Sequence, residues 1–167
     1  MTALVVGVGN PARGDDGAGP AVADLAGDDV RLSGAVIRTE VQLTPELAAA
    51  MAEASVVVII DACTGSRPGK VERTAVPPPT GGPVDTRPSV FGHHLTPGAL
   101  VGLTATAYGR LPPVFVVTVG ARRFDPGAPL SAAVTAALPR AVDLVATLVG
   151  GREAPPFDRM TRRGRRR

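Results

Sequence analysis

Five consecutive β-branched residues, Val56 to Ile60, constrain this chain more than any other feature, and a carboxylate, Asp61, follows them at once. A strand that is apolar at every position has no face to offer water, so it belongs in the middle of a parallel sheet covered on both sides. Parallel neighbours need crossover connections, and the rest of the sequence supplies them. Ala3 to Val8 is a short apolar run closed by Gly9, Asn10 and Pro11, the pattern of a buried strand and a tight turn. A helix is expected to open near Gly19, with Pro20 in its first turn, Val22 and Leu25 facing the sheet and Gly27 ending it.

Ala35 to Val41 reads as a second strand. Thr44 then offers an N-cap, with Pro45 at the first helical position and Glu46 well placed against the helix dipole, for an Ala-rich helix to Ala54. Lys70 to Val76 alternates as an edge strand does, and a Pro/Gly-rich loop without periodicity runs from Pro77 to Pro88. Thr96 and Pro97 repeat the capping signal for a helix to Tyr108, Val114 to Val119 is another buried strand, and Ser131 opens a last helix to Leu148, kinked at Pro139. The order of elements predicts an α/β fold: a single domain over residues 1–150, with a mostly parallel, twisted sheet of about five strands and helices on both faces.

Composition sharpens what this domain can do. Apolar residues make up 44% of the chain but aromatics only 3%, with no Trp, so a surface for stacking single-stranded nucleic acid is not expected. The formal charge of +3 is misplaced rather than basic: Arg152 to Arg167 sets seven arginines against Glu153 and Asp158, a balance of +5 that leaves residues 1–151 at −2. Residues 151–167 therefore read as a basic, disordered tail on a mildly acidic body, and no nucleic-acid face is expected on the domain. Cys63 is the single cysteine, which excludes an intrachain disulfide and a several-thiolate zinc site. No apolar run approaches about 18 residues, and the expected setting is the cytoplasm without membrane insertion, as a monomer.

In parallel α/β sheets ligands bind beyond the carboxyl ends of the strands, where Asn10 to Asp16, Asp61 to Ser66 and Gly92 to Thr96 are all expected to lie. The glycines from Gly7 to Gly19 suggest a dinucleotide loop, but Asp15 and Asp16 would repel a pyrophosphate there. Two other readings stay open for this pair: both cap the following helix, or one holds the loop while the other faces the cleft. Asp61, leaving an apolar strand, needs a partner, which a metal or a helix-capping amide would both supply, unless it serves only to form the turn. His93 and His94, the only histidines, stand before the Thr96 helix. Two carboxylates and an imidazole suit a borderline divalent metal with open positions. No Gly-x-Ser-x-Gly elbow occurs, and Cys63 reads more simply as a small packed residue than as a nucleophile.

Gly7-Val8-Gly9-Asn10 with Asp15-Asp16-Gly17 and Gly19 resembles the signature of the nickel-iron hydrogenase maturation endopeptidases (hydrogenase maturation proteases). Gln42 to Leu47, Ile60-Asp61-Ala62, His93 to Leu100 and Val117 to Gly120 follow in the family's order, so the resemblance covers about residues 3–150. It implies a metal-dependent hydrolase that removes a short C-terminal extension from the nickel-loaded large-subunit precursor of a hydrogenase, with the nickel supplied by that precursor. By position it assigns Asp16, Asp61 and His93 as catalytic residues and nickel ligands. His93 is chosen because Leu95 matches the apolar residue two places after the family's ligand, and His94 is the alternative. Asp16 is shorter by one methylene than the Glu of some members. Asn10 and Asp15 are expected to support the loop, and Arg13 to meet a carboxylate of the precursor. A nickel-binding accessory protein that docks on the precursor without cutting it would use the same ligands.

Overall fold

The computed structural model describes residues 1–79 and 95–151. His93, His94, most of the Pro-rich stretch and the basic tail from residue 152 onward lie outside them. Among the described residues five strands form one sheet: β1 (Leu4–Val8), β2 (Val36–Glu40), β3 (Val57–Cys63), β4 (Val71–Val76) and β5 (Val114–Gly120), in the order β2-β1-β3-β5-β4. All neighbours are parallel except β4, which runs antiparallel to β5 at one edge. The all-apolar run of β3 occupies the centre, and the alternating β4 the edge, as their patterns require.

The helices are α1 (Ala18–Gly27), α2 (Leu47–Glu53), α3 (Pro97–Tyr108) and α4 (Ala132–Val149). Alternation along the strands divides the core into two layers. Val5, Val58, Ile60, Phe115, Val117 and Val119 meet α1 and α4, while Leu4, Val6, Val8, Val57, Ile59 and Val114 meet α2 and α3. Burying a side chain of this size contributes about 1.5–3 kcal/mol, so both layers are needed to offset chain entropy. By length and composition α4 is long and apolar enough to cross a membrane, at 18 residues and a mean hydropathy of 1.6. Its Val134, Ala141, Val142, Val145 and Leu148 are buried against the sheet, the packing of a core helix. The helix continues through Pro139 without ending there.

Helix α1 runs from Ala18, beside the expected start near Gly19, to Gly27, after a 3-10 turn over Gly14–Gly17; of the two readings left open for the acid pair, capping is not realised, since Gly17 is the N-cap and no side chain bonds there. Two local expectations are corrected. Leu25 is exposed, because the buried face of α1 runs through Ala18, Val22, Ala23 and Ala26 instead. Thr44 does not cap α2. Its hydroxyl bonds the Glu46 side chain, the Thr44 carbonyl accepts from Leu47 N in a turn, and the helix starts late, at Leu47. Thr96 and Ser131 do cap α3 and α4, accepting from Ala99 N at 3.1 Å and from Val134 N at 3.4 Å.

The strand order reverses between β1 and β3, so the crevice beyond their carboxyl ends is where an open α/β sheet binds ligands. Gly19, in the first turn of α1, sits over this gap. A Cβ there would fall 2.2 Å from the Val8 carbonyl oxygen and 2.5 Å from that of Ile60, so only glycine lets the helix begin against both strand ends.

Candidate active site at the carboxyl edge of the sheet

Beyond Val8 the chain turns on Gly9, whose φ of 135° suits glycine and whose N–H donates to the Glu40 carbonyl at the end of β2. A side chain at this position would strike the Asp16 carbonyl oxygen, because the loop folds back over the strand end. Asn10 fixes that return. Its Oδ1 accepts from Ala12 N at 2.9 Å, its carbonyl accepts from Arg13 N at 3.0 Å, and its own N–H donates to Asp16 Oδ2 at 3.0 Å. Asn10 is thus tied into the loop at three points, one of them the Asp16 carboxylate. Arg13 is exposed on the outside of the turn.

The adjacent acids part company. Asp15 is fully buried and reaches across to the connection between β5 and α4. Its Oδ2 accepts from Arg122 N and Arg123 N, each at 3.1 Å, and from the Ser131 hydroxyl at 3.1 Å, while Oδ1 accepts from Ser131 N at 2.7 Å. Burial pushes this carboxyl up, but the amide and hydroxyl donors outweigh burial and hold it below its ordinary value. Asp15 N also donates to the Arg123 carbonyl, and Gly14 N to that of Ala128. The first loop is therefore bolted to a segment more than a hundred residues away.

Asp16 is half-buried and stays on the cleft side, near Asp61. Asp61 lies opposite Thr118 of β5 in the strand register and is also half-buried. Its Oδ1 accepts from Ala62 N at 2.8 Å. Burial pushes the Asp61 carboxyl up to about 6; the Ala62 amide opposes this, and the Asp16 charge adds to it. Two carboxylates distant in sequence thus lie within electrostatic reach of one another in partly desolvated surroundings. A divalent cation between them would offset their like charges, so the donor chemistry fits a hard or borderline metal. Among the described residues no group of three or more His, Cys, Asp or Glu gathers in an arrangement that could hold a metal ion.

By strand alternation Asp61 follows Val57 and Ile59 onto the layer that faces α2 and α3. Leu95 packs on this same layer, and both histidines immediately precede it in sequence. Cys63, at the end of β3, is a half-buried free thiol. The structure brings together Asp16, Asp61 and Asn10, and sets Asp15 to a separate, loop-holding task. Sequence reasoning missed Ser131 and the amides of Arg122 and Arg123. Ser131 carried only a helix-start signal, and it serves both roles, capping α4 and donating to Asp15.

No protein-family model and no curated protein matches the sequence. Solved structures do match. A hydrogenase maturation protease, HycI, from Thermococcus kodakarensis superposes with a TM-score of 0.66 at 19% identity, covering 89% of this chain and 92% of that one. The hydrogenase 2 maturation peptidase from a Thaumarchaeota archaeon gives 0.64 at 25% identity, over 90% and 99%. The maturating endopeptidase HybD from Escherichia coli gives 0.59 at 20% identity, over 87% and 90%. The chain has the fold of the nickel-iron hydrogenase maturation proteases, the family that its motifs resemble.

Proposed function

We propose that this protein is an endopeptidase of hydrogenase maturation, removing a short C-terminal extension from the nickel-loaded large-subunit precursor of a nickel-iron hydrogenase. The observation that carries the reading is the placement of Asp16 and Asp61 within electrostatic reach at the switch point between β1 and β3, in a fold whose solved examples include named maturation proteases. The nickel arrives with the precursor and belongs to the substrate. Asp16, Asp61 and His93, or His94 in its place, would ligate it, and a bound metal of this kind polarises a nearby carbonyl or water.

The chain's own contribution is positional. Asn10 N–H holds one oxygen of Asp16, leaving the other available, and Ala62 N–H does the same for Asp61. Asp15 keeps the loop from shifting when the precursor docks, because moving it would strip a buried carboxylate of its donors. Carboxylates fixed before substrate arrives lose little entropy on binding, and misplacement by about 1 Å can cost on the order of a hundredfold in rate. The cytoplasm is the setting that suits a lone reduced thiol.

Incubation of the full chain with nickel-loaded precursor, followed by mass measurement of the large subunit, tests the reading. Loss of a C-terminal peptide is expected, and Asp61→Asn should abolish it. An unchanged mass alongside precursor binding would leave the accessory-protein function instead.

A further inference from the structure

Independently of the proposed cleavage, the free edge of β2 carries the pattern of an interface. Val36 N donates to the Ala3 carbonyl and the Glu40 carbonyl accepts from Gly9 N, so Val36, Arg38 and Glu40 turn their peptide groups toward β1. Alternation then turns the N–H and C=O groups of Ile37 and Thr39 outward, and the chain bends at Val41, just past the strand. Among the described residues no other strand pairs with this edge.

An antiparallel second strand must place outward residues opposite outward residues, which leaves few registers for a copy of the same sequence. Centred on Arg38, the pairing sets arginine against arginine, and centred on Glu40 it sets glutamate against glutamate. Centred on Thr39, it sets Arg38 opposite Glu40 of the copy, twice, at the closely spaced non-hydrogen-bonded positions. Neither Arg38 nor Glu40 makes an ion pair among the described residues.

We propose that two copies of this chain pair through β2, antiparallel about Thr39, to form a continuous ten-stranded sheet. The pairing satisfies the outward peptide groups of a strand edge that no other strand covers among the described residues. Two cross-strand ion pairs select this register over its neighbours. The carboxyl edges of the two sheets then point in opposite directions, so both Asp16–Asp61 clefts stay open and cleavage does not depend on pairing. The contact is small and belongs with weak, reversible associations.

Sedimentation equilibrium of the full chain is expected to show a concentration-dependent dimer. Arg38→Glu should weaken it by about tenfold or more, as should Glu40→Arg, and the double exchange should restore it. In a Cys63→Ser background, Thr39→Cys should give a covalent dimer on mild oxidation, since Cα atoms of hydrogen-bonded antiparallel pairs lie about 5.5 Å apart, within disulfide reach. A monomer at every concentration overturns the proposal. So does a dimer that ignores both charge exchanges and fails to cross-link at position 39, or cross-linking at 39 only to an added precursor.

Discussion

Replacing Asp61 by Asn should make the protein more stable while removing its activity. In the folded chain burial and the neighbouring Asp16 raise the Asp61 carboxyl from an ordinary 3.8 to about 6, so above that pH the ionised group is held against its preference. At 1.36 kcal/mol per tenfold change in proton affinity the penalty has an upper bound of about 3 kcal/mol. Asp61 is only half-buried, and solvent screening reduces this to roughly 1–2 kcal/mol. Because the folded pKa lies above the unfolded one, the penalty is full above about pH 6, falls as pH drops through the interval, and is gone below about 4. Asn keeps an oxygen for the Ala62 N–H and carries no charge to desolvate. Urea denaturation at about pH 7.5 should show the variant ahead by roughly 1–2 kcal/mol, or about 3–6 °C in Tm, and at about pH 5 by about half as much. A variant less stable than the parent near neutral pH, or a gap that does not change with pH, would refute the reasoning. Cleavage of the precursor should be lost at both.

Asp15→Ala should cost about 3–5 kcal/mol, since it orphans the amides of Arg122, Arg123 and Ser131 together, and its denaturation midpoint will read this directly. The Asp15 carboxyl is held low in the folded state, so its contribution is present above the ordinary carboxylate range and lost as pH falls through its depressed value; acid unfolding of Asp15→Asn should accordingly be shallower than that of the parent. Gly19→Ala forces a methyl against the Val8 and Ile60 carbonyls and should lower stability by about 1–3 kcal/mol and slow cleavage as the loop lifts; normal rates in a folded variant would contradict the close approach. Of His93→Ala and His94→Ala, the first should abolish processing of nickel-loaded precursor and the second should spare it, measured by large-subunit mass.

The fold was legible wherever a signal was local. The β-branched run before Asp61 announced a central parallel strand, and the Thr96-Pro97 and Ser131 starts were true caps. Thr44-Pro45 looked the same and was not, because Thr44 spends its hydroxyl on Glu46. Leu25 was misplaced on the helical wheel because Ala residues, not the larger side chain, fill the tight seam of α1. At the site, the divergence of Asp15 and Asp16 was one of the alternatives left open. The partners of Asp15 were not readable, since peptide N–H groups 107 and 108 positions away leave no trace in side-chain identity.

The Asp15 fastening also bears on how the protein is made. The acid leaves the ribosome first, and Ser131 follows 116 residues later. At a translation rate of about 5–20 residues per second, that is a wait on the order of ten seconds. Until then the nascent chain has nothing with which to lock its first loop. Asp15 is therefore fastened only when the domain is nearly finished, and the first loop is among the last parts of the fold to become rigid.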